Sequence, residues 1–210
     1  AAGRPRGASR YISAGVLQPS VVMLVLEKNE RVGDNWRHRS QPLTLHNQVQ
    51  VNPLPYMPFP PTWPTYIPKD KLAGWFETYV EAIELNVWTA TEAERGQYDL
   101  DKRRWSIEPR SSEGRQRTLK PQHIVMATGA SGVPNLPNEI QSLANFAGTT
   151  AHSEEYSHGT AWKGRKALVL GTGNSGNDIA QDLHATGAQV TMIKRRPTMG
   201  VKIAPSAQLH

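Results

Sequence analysis

Lys166-Ala-Leu-Val-Leu170 runs directly into Gly171-Thr-Gly173-Asn-Ser-Gly176, and helix-like spacing continues through residues 177–184. A short apolar strand, then glycines at the first, third and sixth places, then a helix make up the turn that receives a dinucleotide. Gly171 permits the tight turn, Gly173 lets the backbone approach a pyrophosphate, and Gly176 lets the helix lie close on the strand. The N–H groups and dipole at the start of such a helix attract phosphate, so Asn174 and Ser175 join the three glycines as binding candidates. Ile179, Ala180 and Leu183 form the apolar side of the helix, Gly187 is placed to cap its end, and residues 189–193 read as the next strand. The alternative is a glycine turn in an unrelated α/β unit; the flanking strand, helix and second strand argue for the dinucleotide reading.

The residues just past the second strand select the nucleotide. An NAD site places an acid there to hold the ribose 2′-hydroxyl. This chain offers Lys194-Arg195-Arg196, and guanidinium groups suit a 2′-phosphate, so NADPH is the expected dinucleotide. A solvated basic loop is the other reading of the same charges.

Just upstream lies Phe146-Ala-Gly148-Thr-Thr-Ala-His152-Ser-Glu-Glu-Tyr156. With the glycine turn behind it, this Phe-x-Gly-x-x-x-His-x-x-x-Tyr pattern resembles the fingerprint of the class B flavin-dependent monooxygenases. That group covers the flavin-containing monooxygenases, their plant auxin-pathway relatives and the Baeyer–Villiger enzymes. On its own, His152 reads as a structural histidine. The resemblance makes Phe146, Gly148 and His152 part of the linker that handles NADP, with no acid–base role assigned to His152. Tyr156 and Ser157 stand where the Baeyer–Villiger pattern has Trp and Pro, which moves the likeness toward the N- and S-oxygenating or auxin-pathway branch.

Residues 21–26, Val-Val-Met-Leu-Val-Leu, read as a buried strand closing on Glu27, as the second strand of a dinucleotide fold closes on an acid. Glu27-Lys-Asn-Glu-Arg-Val-Gly33-Asp-Asn35-Trp36-Arg37 closely resembles the family's FAD-domain segment. The likeness implies that Glu27 holds the FAD ribose and that Gly33, Asn35, Trp36 and Arg37 pass near the pyrophosphate and flavin. Without that segment Glu27 would be an ordinary solvated strand end. A first glycine turn belongs about twenty residues upstream. There Gly3-Arg-Pro5-Arg-Gly7 puts arginines and a proline without an N–H where small residues should approach phosphate, so the turn is expected to be degenerate or missing.

Between these halves, Pro53, Pro55, Pro58, Pro60, Pro61, Pro64 and Pro68 alternate with Tyr56, Phe59, Trp63 and Tyr66. The stretch reads either as a polyproline ligand for a partner or, by resemblance, as a loop packed over the FAD domain. Asp70 is the expected N-cap of a helix whose core face carries Leu72, Trp75, Phe76, Tyr79, Val80 and Ile83, with Glu77, Glu81 and Glu84 on the wet side. Residues 87–91, 98–100, 104–108 and 117–119 read as short strands of a β-meander spanning about residues 87–126, and 122–126 as a further strand. That last strand enters Ala127-Thr128-Gly129, which the resemblance places with its backbone close to FAD.

Composition excludes several classes. The chain has no cysteine, hence no disulfide framework and no thiolate nucleophile or metal site. No apolar run approaches a membrane span. Lys+Arg 24 against Asp+Glu 18 gives a net charge of +6, but the charge is scattered and no nucleic-acid-binding motif accompanies it; anionic FAD and NADPH are reason enough for it. Residues 1–20 are Arg-containing and acid-free, the composition of an organellar transit peptide, although a cytoplasmic location is the expectation.

The expected fold is α/β: two dinucleotide-binding, Rossmann-like domains, the NADPH unit inserted in the FAD unit, with a small β-meander, both units incomplete. Residues 1–140 would be the FAD-binding domain and 141–210 the N-terminal part of the NADPH-binding domain. By resemblance the function is an FAD- and NADPH-dependent monooxygenase that transfers one oxygen of O2 to a small organic substrate through a flavin hydroperoxide. Two rivals stand beside it. A related FAD/NAD(P)H oxidoreductase would share both folds, though the missing Cys pair excludes the redox-disulfide form. A truncated, inactive NADP-binding fragment would fit the degenerate first glycine turn.

Overall fold

The computed structural model describes residues 22–195, apart from 113, 115–116, 130–133, 137–139, 141–142 and 144. The Gly3 to Gly7 stretch and Arg196 therefore lie outside the described residues. Among the described residues no helix is long and apolar enough to cross a membrane.

Near the start of the described chain, strand β1 (Val25–Leu26) pairs in parallel with β2 (Val87–Trp88). The crossover between them contains helix α1 (Asp34–Arg37), the proline-rich loop and helix α2 (Lys69–Ala82). The strand expected over 21–26 is thus shorter: residues 22–24 are unpaired and Val22 is exposed, because the partner strand offers only two residues.

Helix α2 organises this unit. Leu72, Ala73 and Tyr79 are buried with Ile67, whose side chain is fully enclosed. The proline-rich loop folds back onto the helix instead of projecting as a ligand. Phe59 stacks on Trp63 with centroids 5.3 Å apart, Trp63 meets Trp75 edge-on at 5.2 Å, and the Tyr79 hydroxyl donates to the Pro55 carbonyl at 3.1 Å. Prolines suit this path because they remove backbone donors that the packed loop would have to satisfy, while the rings supply apolar area. The helix is capped by Pro68, not by Asp70; Asp70 lies in the first turn, where its carboxylate accepts from the Lys69 ammonium at 2.8 Å.

The β region departs from expectation in its boundaries. Residues 87–91 do not form one strand: Ala90 takes a positive φ of 48°, so Val87–Trp88 stays with β1 while a hairpin begins at Thr91. That hairpin joins β3 (Thr91–Asp99) to β4 (Arg104–Ser111). Its first strand runs through Glu92, Glu94 and Arg95, whose side chains are all exposed, so no alternation of apolar residues announced it. Pro109 lacks a ladder donor, and the register shifts opposite it between Ala93 and Arg95. Leu119 adds a third pass by pairing with Ile107 in both directions at 2.8 and 2.9 Å, which completes a meander starting at 91 and not at 87. Residues 122–126 form no strand: they have no described neighbour to pair with, and Met126 is exposed.

Further along, β5 (Lys166–Leu170) and β6 (Gln189–Ile193) lie in parallel, joined by helix α3 (Asn174–Ala185). Both strands have the expected bounds. The helix starts three residues before the apolar spacing does, because Gly173 in extended geometry serves as its N-cap and the Asn177 N–H closes the first turn on the Gly173 carbonyl. Thr186 is the C-cap, and Gly187 comes next at φ 92°. The Gly187 and Ala188 N–H groups then return to the carbonyls of His184 and Leu183, the paired bonds of a Schellman ending.

Candidate functional site

The glycine turn and the basic pair come together at one edge. The Gly171 N–H donates to the Ile193 carbonyl at 2.8 Å, so the turn sits against the end of β6, from which Lys194 and Arg195 continue as exposed residues. The three glycines do different things. Gly171 turns the chain at φ 109°. A Cβ on Gly173 would meet nothing within 4 Å, which leaves its face of the turn open to a ligand. A Cβ on Gly176 would collide with the Gly171 carbonyl oxygen, so only glycine lets the helix start nest against the turn. The Asn177 amide holds the turn by donating to the carbonyls of Thr172 and Gly173 at 3.1 and 3.2 Å. Asn174 and Ser175 are exposed at the helix start, where the first N–H groups of a helix have no intrahelical carbonyl to bind. This cradle has the shape and the donors that a pyrophosphate needs.

The linker ahead of the turn is locked to the same helix. Phe146 and Gly148 are exposed, and His152 is half-buried. The His152 N–H donates to the Glu155 carboxylate at 2.6 Å, and its ring Nδ1 accepts from the Glu154 N–H at 3.2 Å. His152 is thereby engaged in local turn structure. Asp182 of α3 then accepts from the Tyr156 hydroxyl at 2.5 Å and from the Gly159 N–H at 2.7 Å. Gly159 is buried, and a Cβ there would reach the Asp182 carbonyl oxygen at 2.8 Å.

Burial, together with the Asp182 carboxylate, raises the Tyr156 phenol well above its ordinary range. The protonated phenol is therefore favoured by the fold. Its contribution is complete below the unfolded value, about pH 10, and is lost as pH rises through the folded value. Tyr156→Phe is expected to cost about 1–2 kcal/mol at neutral pH. Thermal unfolding of both proteins at pH 7 and above pH 10 checks this, with the gap narrowing at the alkaline end.

In the first unit, the Glu27 carboxylate at the end of β1 accepts from the N–H and the side-chain amide of Asn29 at 2.8 and 2.7 Å. Gly33 takes φ 87°, and its Cβ would lie 2.7 Å from the Ala73 carbonyl oxygen, so α1 crosses α2 at backbone contact. Asp34 is buried and binds the Arg37 guanidinium at 2.8 Å and the Arg31 N–H at 3.1 Å, which holds its carboxyl below the usual carboxylate range. Arg37 also reaches the Val32 carbonyl at 2.8 Å and Glu77 at 2.7 Å. Its guanidinium is thus engaged inside the turn. Glu77, placed on the wet side by helical spacing, is instead the shared counter-charge of Arg31 and Arg37. Asn35 is exposed beside this brace and Trp36 is half-buried. Ala127, Thr128 and Gly129 are exposed, with Gly129 at φ 83°. No backbone hydrogen bond joins them to the glycine turn among the described residues.

Sequence reasoning missed Asp182 and a contact between the units. The His46 Nε2 lies 2.7 Å from the Asp178 carboxylate, and the Asn174 amide donates to His46 Nδ1 at 3.1 Å. Asp178 and Asp182 are spaced i,i+4 on one helix, a pattern visible in sequence; nothing in the sequence marks His46 as the neighbour of Asp178.

A parallel strand–glycine turn–helix–strand unit with a basic end, joined by a hydrogen-bonded linker to a second βαβ unit, is the arrangement of a dinucleotide-binding α/β fold. The flavin-binding monooxygenase-like family matches residues 43–202, and the chain belongs to that family. It is 33% identical over 172 residues to indole-3-pyruvate monooxygenase YUCCA1 of Oryza sativa subsp. japonica, covering 81% of this chain and 41% of the rice protein. The chain therefore spans less than half of that curated relative. Among solved structures, a variant of a flavin monooxygenase from Stenotrophomonas maltophilia superposes with a TM-score of 0.73 at 26% identity, covering 90% of this chain and 55% of the other. A bacillithiol disulfide reductase from Staphylococcus aureus gives 0.76 at 18% identity, covering 98% and 59%, a likeness of fold alone. The disulfide reductase thus shares the architecture, and this chain contains no cysteine.

Proposed function

We propose that this chain carries the cofactor-binding machinery of an FAD- and NADPH-dependent monooxygenase that inserts one oxygen atom of O2 into a small organic substrate. The observation that carries the reading is the glycine cradle closed at Gly176 and edged by Lys194 and Arg195, in a chain of a flavin-binding monooxygenase-like family. The bound cofactors supply hydride donation and oxygen activation. The residues of the chain bind and orient: the α3 start and the glycine turn for the pyrophosphate, Lys194 and Arg195 for the 2′-phosphate, and Glu27 for the FAD ribose. The likeness to the rice enzyme makes indole-3-pyruvate the substrate to test first.

Coupled NADPH oxidation and O2 uptake, stimulated by indole-3-pyruvate over an amine, a sulfide and a cyclic ketone, is the supporting result. NADPH oxidation without O2 uptake would instead favour the reductase rival. The basic pair has its own test. Lys194→Glu with Arg195→Glu is expected to weaken NADPH binding about tenfold and leave NADH nearly unchanged, as read by calorimetric titration of both nucleotides.

A further inference from the structure

We propose that His46 is a positioning residue for the nucleotide: from the first unit it holds Asn174 and Asp178 at the start of α3 and so keeps the phosphate-receiving turn set for its ligand. The proposal rests on the dinucleotide reading above. The backbone just ahead of His46 is fixed. The Leu45 N–H donates to the carbonyl of fully buried Ile67 at 2.8 Å, and the Lys69 N–H donates to the Leu43 carbonyl at 3.0 Å. A bridge between Thr44 and Pro68 lies between these bonds. The imidazole therefore projects from the bend that follows this paired stretch, beside the start of α2.

Its two nitrogens are used differently. Nδ1 accepts from the Asn174 amide at 3.1 Å, which leaves the ring proton on Nε2, where it is donated to Asp178 at 2.7 Å. One ring thus serves an amide on the first residue of α3 and a carboxylate one turn further on. Both partners matter to an anionic ligand. A carboxylate left loose beside a helix start opposes phosphate, and an amide left loose there can fall across the open face at Gly173. His46 ties both to one side. A second tie, from the Gln41 N–H to the Ser157 carbonyl at 2.8 Å, joins the same segment to the linker that Tyr156 anchors on Asp182. The start of α3 is thus held in place by residues of the first unit.

The test is calorimetric titration of the whole chain with NADP+, for wild type, His46→Ala and His46→Gln, with FAD titrated in parallel and melting temperatures recorded. His46→Ala is expected to raise the NADP+ Kd about tenfold. His46→Gln supplies one acceptor and one donor on its amide, and is expected to stay within about threefold of wild type. FAD affinity should not move in either variant. Wild-type NADP+ binding with unchanged affinity in His46→Ala would overturn the role of His46 alone. Equal losses in both variants, or an equal loss of FAD affinity, would also overturn it by showing a general structural effect. A wild-type chain that takes no NADP+ would sink the dinucleotide reading itself, and the proposal with it.

Discussion

Gly176→Val is expected to destabilise the chain by on the order of 3 kcal/mol and to weaken NADPH binding at least about a hundredfold. The reason is geometric. Even the first added carbon would overlap the Gly171 carbonyl oxygen, with the carbonyl carbon at 3.1 Å and the Val169 side chain at 3.7 Å. A backbone oxygen inside a tight turn cannot swing aside, so the helix must lift off the strand and carry its N–H groups away from the pyrophosphate seat. Gly173→Ala is the informative contrast. It meets nothing within 4 Å in the fold and its φ of −73° suits alanine, so stability should fall by about 1 kcal/mol or less. Nucleotide affinity should still drop, because the added methyl points at the ligand's side. Thermal unfolding and NADPH titration of the two variants separate a glycine needed by the fold from one needed by the ligand.

Gly33→Ala should be nearly as damaging, at about 3 kcal/mol, in the other unit. Two costs coincide there: a left-handed φ of 87°, and a Cβ 2.7 Å from the carbonyl oxygen and 2.9 Å from the Cα of Ala73. Both are backbone atoms, so shortening the side chain of Ala73 gives no relief. The substitution would push α1 from α2 and break the brace in which Arg37 joins Asp34 and Glu77. The expected readout is a lowered melting temperature with weakened FAD binding, and with NADPH affinity changed far less than in Gly176→Val. A wild-type melting temperature for Gly33→Ala would mean that α1 and α2 do not cross as described.

What the sequence made legible was local. The strand at 166–170, the turn, the helix and the strand at 189–193 each carry their own periodicity or glycine signal; both strands and the turn stand where that signal puts them, and the helix begins three residues earlier. The proline-rich segment was legible only as two options, because rings and prolines suit a packed loop and a free ligand alike until Trp75 is seen to meet Trp63. The middle of the strand of 91–99 escaped because residues 92–97 are all exposed and leave no period of two. Residues 122–126 failed for the opposite reason: their apolar run looked like a strand, yet pairing depends on a neighbour that sequence does not disclose. The ion pairs and hydrogen bonds of Glu77, Asp178 and Asp182 were invisible for the same cause, since each partner lies far away along the chain or on another element.

The most direct measurement of the central claim is an anaerobic visible absorption titration of the purified chain, first with FAD and then with NADPH or NADH. The expected result is a set of flavin bands that stay with the protein through gel filtration and bleach with NADPH well ahead of NADH. A protein that never retains flavin colour, or whose flavin is bleached equally by both nucleotides, would contradict it.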